Sequence, residues 1–275
     1  MKTILVPTDF SEISANSTDY AIEIAKVAKA KIVLFNAYHV PVIASEAVVI
    51  APAIEELERY SHNKLEKIKT ELINKYGQQV NIECVSACGF AIDEINIYTK
   101  TNKVDLIVIG MHGANFITEK LIGSITTSLI RSSNCPVLAI DNKVKFIEPK
   151  KIAFACDYSE TDNKTILDSL KEIVSLFKSH VYVLNVISKK EFVPKIKEAV
   201  SDFISLEDNL EKVDHSLHYI HDNDIVKGIN EFVLERKMDM IVMIPRKHSF
   251  IKNILQEPNT KRMAFHTHLP LLALH

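Results

Sequence analysis

Continuous apolar runs alternate with amphipathic stretches along most of this chain. The runs KTILVP, KIVLFNAY, VNIECVSA, VDLIVIG and PVLAI fall within the first 140 residues. Each is short and apolar at consecutive positions, as suits a strand buried on both faces of a sheet. Between them the period lengthens. Ser14 to Lys29 would put Tyr20, Ile24, Val27 and Ala28 on one helical face, and Ala53 to Tyr76 would do the same with Leu57, Leu65, Ile68, Leu72 and Ile73. Strands alternating with helices predict βαβ units and a parallel sheet with right-handed crossovers.

The pattern then repeats. Ile4-Leu5-Val6-Pro7-Thr8-Asp9-Phe10-Ser11-Glu12 returns as Ile152-Ala153-Phe154-Ala155-Cys156-Asp157-Tyr158-Ser159-Glu160. Val104-Asp105-Leu106-Ile107-Val108-Ile109 returns as Met238-Asp239-Met240-Ile241-Val242-Met243. Cys135-Pro136-Val137-Leu138-Ala139-Ile140 returns as Leu269-Pro270-Leu271-Leu272-Ala273-Leu274. The first pair lies 148 positions apart (4 to 152) and the other two 134 (104 to 238, 135 to 269), so the second copy is about 14 residues shorter between its first and fourth strands. Three matches in the same order predict a tandem duplication. The expected fold is α/β, with two tandem five-stranded parallel-sheet domains at 1–143 and 150–275, and polar Asp141 to Lys150 as the linker.

Composition narrows the function. With 47% hydrophobic and 25% charged residues over 275 positions, the chain can fill two globular cores of about 140 residues each. A net charge of −2, without a basic run carrying interleaved aromatics, argues against nucleic acid as a partner. The opening MKTILVPTDF passes straight from Lys2 into an apolar run, unlike a signal peptide, and no apolar stretch nears bilayer-spanning length. The expectation is a soluble cytoplasmic protein with no membrane partner. Cys84, Cys88, Cys135 and Cys156 form no CxxC pair and read as reduced, buried thiols.

Candidate chemistry concentrates after the fourth apolar run. Gly110-Met111-His112-Gly113 is followed, after nine residues, by Gly123-Ser124-Ile125-Thr126, so three of the chain's six glycines fall in one segment. Glycines let a backbone approach a polyphosphate and turn N–H groups toward it. Ser124 and Thr126 open a helix expected to bury Ile125, Leu129 and Ile130, and a helix start favours an anion. Asp9, at the end of the first strand, is placed to accept hydrogen bonds from ribose hydroxyls or an adenine amine. On spacing alone, strand-ending and helix-capping glycines explain the segment equally well.

Gly110-x2-Gly113-x9-Gly123-Ser124 matches the signature of the ATP-binding universal stress proteins. The opening Val6-Pro7-Thr8-Asp9-Phe10-Ser11 and the closing Cys135-Pro136-Val137-Leu138 also resemble that family's ends. The resemblance runs through both halves and is specific in the first. It implies a Rossmann-like, adenine nucleotide alpha hydrolase-like fold with helices on both sheet faces. ATP, with Mg left open, would lie across the strand ends. Pro7, Thr8, Asp9 and Ala37 would stand near the adenosine; Gly110, Met111, His112, Gly113, Gly123, Ser124, Ile125 and Thr126 would surround the phosphates. It further implies an intramolecular pseudo-dimer of the two copies, with a homodimer also open.

His112 reads as a loop residue serving through its backbone, since no carboxylate partner lies in the motif. In the second copy, at the 134 offset, Gly110 becomes Ile244, Gly113 becomes Lys247, Gly123 becomes Glu257 and Ser124 becomes Pro258. Proline offers no N–H and a carboxylate repels phosphate, so one nucleotide per chain is expected. His266 and His268, at i and i+2, could share a face toward a metal, but no cysteine or acidic pair completes a set. No dedicated nucleophile or metal-binding carboxylate pair is visible, which favours a regulatory or stress-response ligand binder with at most a weak ATPase. The alternatives are an adenylyl- or phosphoryl-transfer enzyme, for which Walker and SGGxDS-like loops are lacking, and a non-nucleotide interaction module.

Overall fold

A computed structural model describes residues 1–39, 50–111, 122–156, 164–187, 206–245 and 269–275. Contacts divide the chain into two compact units that meet in sequence at Asn142–Lys143.

In the first unit the elements run β1 (Thr3–Pro7), α1 (Glu12–Ala28), β2 (Lys31–Tyr38), α2 (Ile50–Tyr76), β3 (Ile82–Cys88), α3 (Ala91–Thr101), β4 (Leu106–Gly110), α4 (Ser124–Ser132) and β5 (Val137–Ile140). All strand pairs are parallel, in the order β3-β2-β1-β4-β5. The central strands are apolar at successive positions because helices cover both faces; Ile4, Leu5, Val6 and Ile107 have no exposed surface. The order reverses between β1 and β4, since β1 is followed in sequence by its neighbour on one side and β4 flanks it on the other. Open α/β sheets bind ligands at such a reversal, beyond the carboxyl ends of the strands.

The second unit repeats this plan with β6 (Lys151–Ala155), α5 (Lys164–Phe177), β7 (His180–Ile187), β8 (His215–His221), α6 (Ile225–Arg236), β9 (Met240–Met243) and β10 (Leu271–Ala273). Its five strands are also parallel, in the order β8-β7-β6-β9-β10. The missing residues of the second copy fall between its second and third strands: from 38 to 82 is an interval of 44, and from 187 to 215 an interval of 28.

The duplication extends to single atoms. Asp105 Oδ2 accepts the backbone N–H groups of Lys2 (2.6 Å) and Thr3 (2.8 Å), and Asp239 Oδ2 does the same for Lys150 (2.9 Å) and Lys151 (2.8 Å). The aspartate shared by the VDLIVI and MDMIVM runs therefore fastens the start of one strand to its neighbour in each unit. Its carboxylate supplies charge-assisted bonds to N–H groups that begin a ladder and lack a strand partner.

The helix faces differ in part from the sequence pattern. Helix α1 starts at Glu12, earlier than expected, because Ser11 caps it by accepting from Ser14 N. It buries Tyr20, Ala21, Ile22, Ile24 and Ala25, while Val27 is 40% exposed and Ala28 only half-buried. The face is rotated toward the small residues Ser14, Ser17 and Thr18, which let the helix lie close to the sheet. Cys135 and Cys156 are buried, but Cys84 is half-buried and Cys88 exposed, because the last two belong to β3 at the end of the strand order.

Candidate functional site at the strand ends

Residues of β1, β2 and β4, three adjacent strands, converge at their carboxyl ends. Leaving β1, Thr8 stays buried: its N–H donates to Phe35 O (2.9 Å), and its Oγ1 shares a hydrogen bond with Ser14 Oγ (2.9 Å). Asp9 turns outward, exposed, and its Oδ1 accepts from Ser11 N (3.1 Å) and Ser11 Oγ (2.5 Å). The aspartate thus shapes the turn that presents it, while Ser11 caps α1. Between them Phe10 takes φ 65°, a left-handed conformation that costs a non-glycine residue about 1–2 kcal/mol. Its N–H donates to Thr8 Oγ1 (3.0 Å), which helps hold that turn. Nothing in the sequence signals this strain, since phenylalanine is not a residue expected there.

A second set of bonds ties this turn to β2 and α2. Asn36 Nδ2 donates to Thr8 O (2.7 Å), Ser61 Oγ to Asn36 Oδ1 (2.7 Å) and Ser86 Oγ to Ser61 Oγ (2.6 Å). Asn36 and Ser61 are buried, so each bond satisfies groups that would otherwise be costly to desolvate. The link is long-range and left no local mark in the sequence. Asn185 repeats its first step in the second unit, with Nδ2 3.3 Å from Cys156 O. Ala37 follows Asn36 on β2 and is half-buried.

On β4, Gly110 and Met111 are buried at the strand end. Met111 N donates to Ile140 O (2.8 Å), and Met111 O accepts from Gly123 N (2.6 Å), so the end of β4 is fastened both to β5 and to the start of α4. Thr126 Oγ1 adds a second pin by donating to Gly110 O (2.8 Å). Gly123 is the N-cap of α4, with φ −60° and ψ 153° and no side-chain cap bond. Any residue can adopt that backbone, so what glycine contributes there is the absence of a side chain. The first backbone bond of α4 runs from Thr127 N to Gly123 O (2.8 Å); the N–H groups of Ser124, Ile125 and Thr126 lie ahead of it in the first turn.

One expectation, the buried face of α4, changes here. Ile125, expected on the apolar side of α4, is 42% exposed; the buried face is Thr126, Leu129 and Ile130. Thr126, expected beside the phosphates, is 3% exposed and gives its hydroxyl to Gly110. Pro7, Thr8, Asp9, Gly110, Met111, Gly123 and Ser124 are brought to the sheet edge at the β1/β4 reversal, with Ala37 on the neighbouring strand. His112 and Gly113 lie outside the described residues, as do Asp157, Lys247, Glu257, Pro258, His266 and His268 in the second copy. Ile244, at the position of Gly110, is 2% exposed. Among the described residues, no group of three His, Cys, Asp or Glu side chains is placed to hold a metal, and no helix is long and apolar enough to cross a membrane.

A parallel sheet flanked by helices, with a strand-order reversal beside its first strand, makes this a Rossmann-like α/β protein. The chain belongs to the universal stress protein family, whose model matches residues 1–141. A universal stress protein of Methanocaldococcus jannaschii is 29% identical over 151 residues, covering 52% of this chain and 84% of the relative. A second from the same archaeon is 28% identical over 155 residues, covering 52% of this chain and 96% of the relative. Among solved structures, a universal stress protein from Archaeoglobus fulgidus superposes with a TM-score of 0.72 at 18% identity, covering 98% of this chain and 97% of that one. The fold of both halves is therefore that of a full-length structural neighbour.

Proposed function

We propose that the first domain binds ATP, one molecule per chain, as the ligand of a regulatory or stress-response protein with at most slow hydrolysis. The observation that carries the reading is the start of α4. Its capping residue is a glycine whose backbone does not require glycine, it has no side-chain cap, and it begins beside the end of β4 at the strand-order reversal. A polyphosphate fits this arrangement, because first-turn N–H groups and the helix dipole favour an anion and Gly123 brings no side chain of its own to the helix start. Asp9, exposed one strand away, offers an acceptor for ribose hydroxyls or the adenine amine. Gly110, Met111, Ser124 and Ile125 would contribute backbone around the phosphates, as would His112 and Gly113 from the connecting loop. Thr126 would act indirectly, by holding Gly110. Mg would accompany the nucleotide as a phosphate counterion. A cytoplasmic setting and the intramolecular pseudo-dimer implied by the resemblance belong to the same proposal.

The test is mass spectrometry of small molecules released from the purified, denatured protein, with Gly123→Val as the control. The expected result is ATP in wild type and its loss in the variant. Protein that carries no nucleotide and shows no measurable ATP affinity would overturn the reading.

A further inference from the structure

One location on the sheet is built twice with different chemistry. In the first unit Lys31, opening β2, meets Glu83 on β3 with Nζ 2.6 Å from Oε2, near Tyr98 of α3. The strand registers carry these places into the second unit. Lys31 pairs with Thr3 as His180 pairs with Lys151, and Val33 pairs with Glu83 as Tyr182 pairs with Ser216. His180 therefore stands where Lys31 does and Ser216 where Glu83 does. Phe232 of α6 follows Tyr98 by the repeat offset of 134 (98 to 232). A Lys–Glu pair keeps its charges throughout the range from pH 5 to 8; imidazoles do not.

The second-unit groups form a continuous chain. Asp214 Oδ2 lies 3.0 Å from His180 Nδ1, His180 Nε2 lies 2.9 Å from Ser216 Oγ, and Ser216 Oγ lies 2.9 Å from His218 Nε2. Tyr182 stacks on His218 at 5.3 Å and meets the His180 ring edge-on at 4.7 Å. From α6, Phe232 covers His218 at 5.0 Å, and the Arg236 guanidinium lies 5.8 Å from the Phe232 ring. Among the described residues, the groups facing His218 are thus His180 and Tyr182 on β7, Ser216 on its own strand, and Phe232 and Arg236 on α6, with Asp214 at the far end of the chain.

Counting protons shows what this arrangement tolerates. With a carboxylate accepting at Nδ1, neutral His180 keeps its proton there and its Nε2 accepts from the Ser216 hydroxyl. Ser216 then accepts from His218 only if that ring carries its proton on Nε2. With both rings neutral, every bond in the chain is satisfied. A proton added to His180 would sit on Nε2, making that nitrogen a second donor at Ser216 Oγ, so the serine hydrogen must leave the chain. A proton on His218 places an imidazolium under two aromatic rings, beside Arg236.

We propose that this Asp214–His180–Ser216–His218 chain is a pH-sensitive latch, which holds the end of α6 against β7 and β8 near neutral pH and loosens when His218 is protonated. Burial, then Arg236, then His180 hold the His218 imidazole below its ordinary value of 6.5. The folded arrangement therefore favours the neutral ring. Its stabilisation is present above pH 6.5 and is lost as pH falls through the lowered folded value. In that window, opening takes up one proton, so the open population rises by up to about tenfold per pH unit.

Hydrogen exchange on the full chain between pH 7.5 and 5, scaled for the intrinsic rate, tests this. Amides of 215–221 and 225–236 should gain openings on that scale, while 31–38 and 91–101 stay unchanged. His218→Phe, which keeps a ring between Tyr182 and Phe232, should remove the acid response. Should that variant fail to fold, NMR titration of the His218 ring decides the matter, because Ser216→Ala should move its midpoint. An acid response equal in the two halves, one that survives His218→Phe, or a midpoint unmoved by Ser216→Ala would overturn the proposal.

Discussion

The hydroxyl of Thr126 reaches back to the carbonyl of Gly110 at 2.8 Å, joining the start of α4 to the end of β4. Both residues are buried, so removing the donor leaves a carbonyl without its partner. Thr126→Val, nearly isosteric, should lower stability by about 1–3 kcal/mol, measured by chemical denaturation, and should weaken nucleotide binding through the displaced strand end. Thr126→Ser, which keeps the hydroxyl, should restore most of both. Position and direction separate here. The spacing after Gly123 places Thr126 at a helix start, where a hydroxyl can serve a ligand or the protein. Only the fold, by burying that side of α4, turns it inward and leaves Ile125 outside. Asp9 carries the same lesson in reverse: its strand-end position was legible, but its bonds to Ser11 and the left-handed Phe10 beside it were not.

Among the described residues, four lysines sit at positive φ, and they come in matched pairs: Lys29 (φ 53°) with Lys178 (φ 51°), and Lys103 (φ 46°) with Lys237 (φ 52°). Lys29 and Lys237 each end a helix in the left-handed conformation, a place where glycine is usual. A lysine there suffers crowding at Cβ that a glycine would not, though its charge suits the negative end of the helix dipole. Lys29→Gly should therefore raise stability, by up to about 1 kcal/mol after the added freedom of the unfolded chain is subtracted, and thermal denaturation should show a higher midpoint. No glycine marked these helix ends. The strands were readable because burial on both faces leaves an uninterrupted apolar run, as in β1 and β4. The helix faces were readable less well, since β-facing positions in α1 and α4 include serine and threonine that pack closely against the sheet. An i, i+3, i+4 count of apolar residues then selects a face displaced by a residue or two, and so misplaces Val27 and Ile125.

At the scale of the whole chain, the duplication has preserved scaffolding and changed surfaces. The strand order, the aspartates that fasten strand starts and the left-handed lysines recur in both units. At the strand ends, Gly110 corresponds to buried Ile244, and in the sequence Gly123 and Ser124 correspond to Glu257 and Pro258. Where the first unit has Lys31 and Glu83, the second has a histidine–serine–histidine chain. The sequence exposed the loss of the glycines directly, because each is a single-letter change within an aligned run. It could not expose the histidine chain, whose members come together only through the pairing of β7 with β8. An ATP site in the first unit alone predicts a definite stoichiometry. Calorimetric titration of nucleotide-free protein with ATP should saturate at one molecule per 275-residue chain, and Gly123→Val should abolish the heat. Saturation at two per chain, or binding that persists in Gly123→Val, would contradict the account.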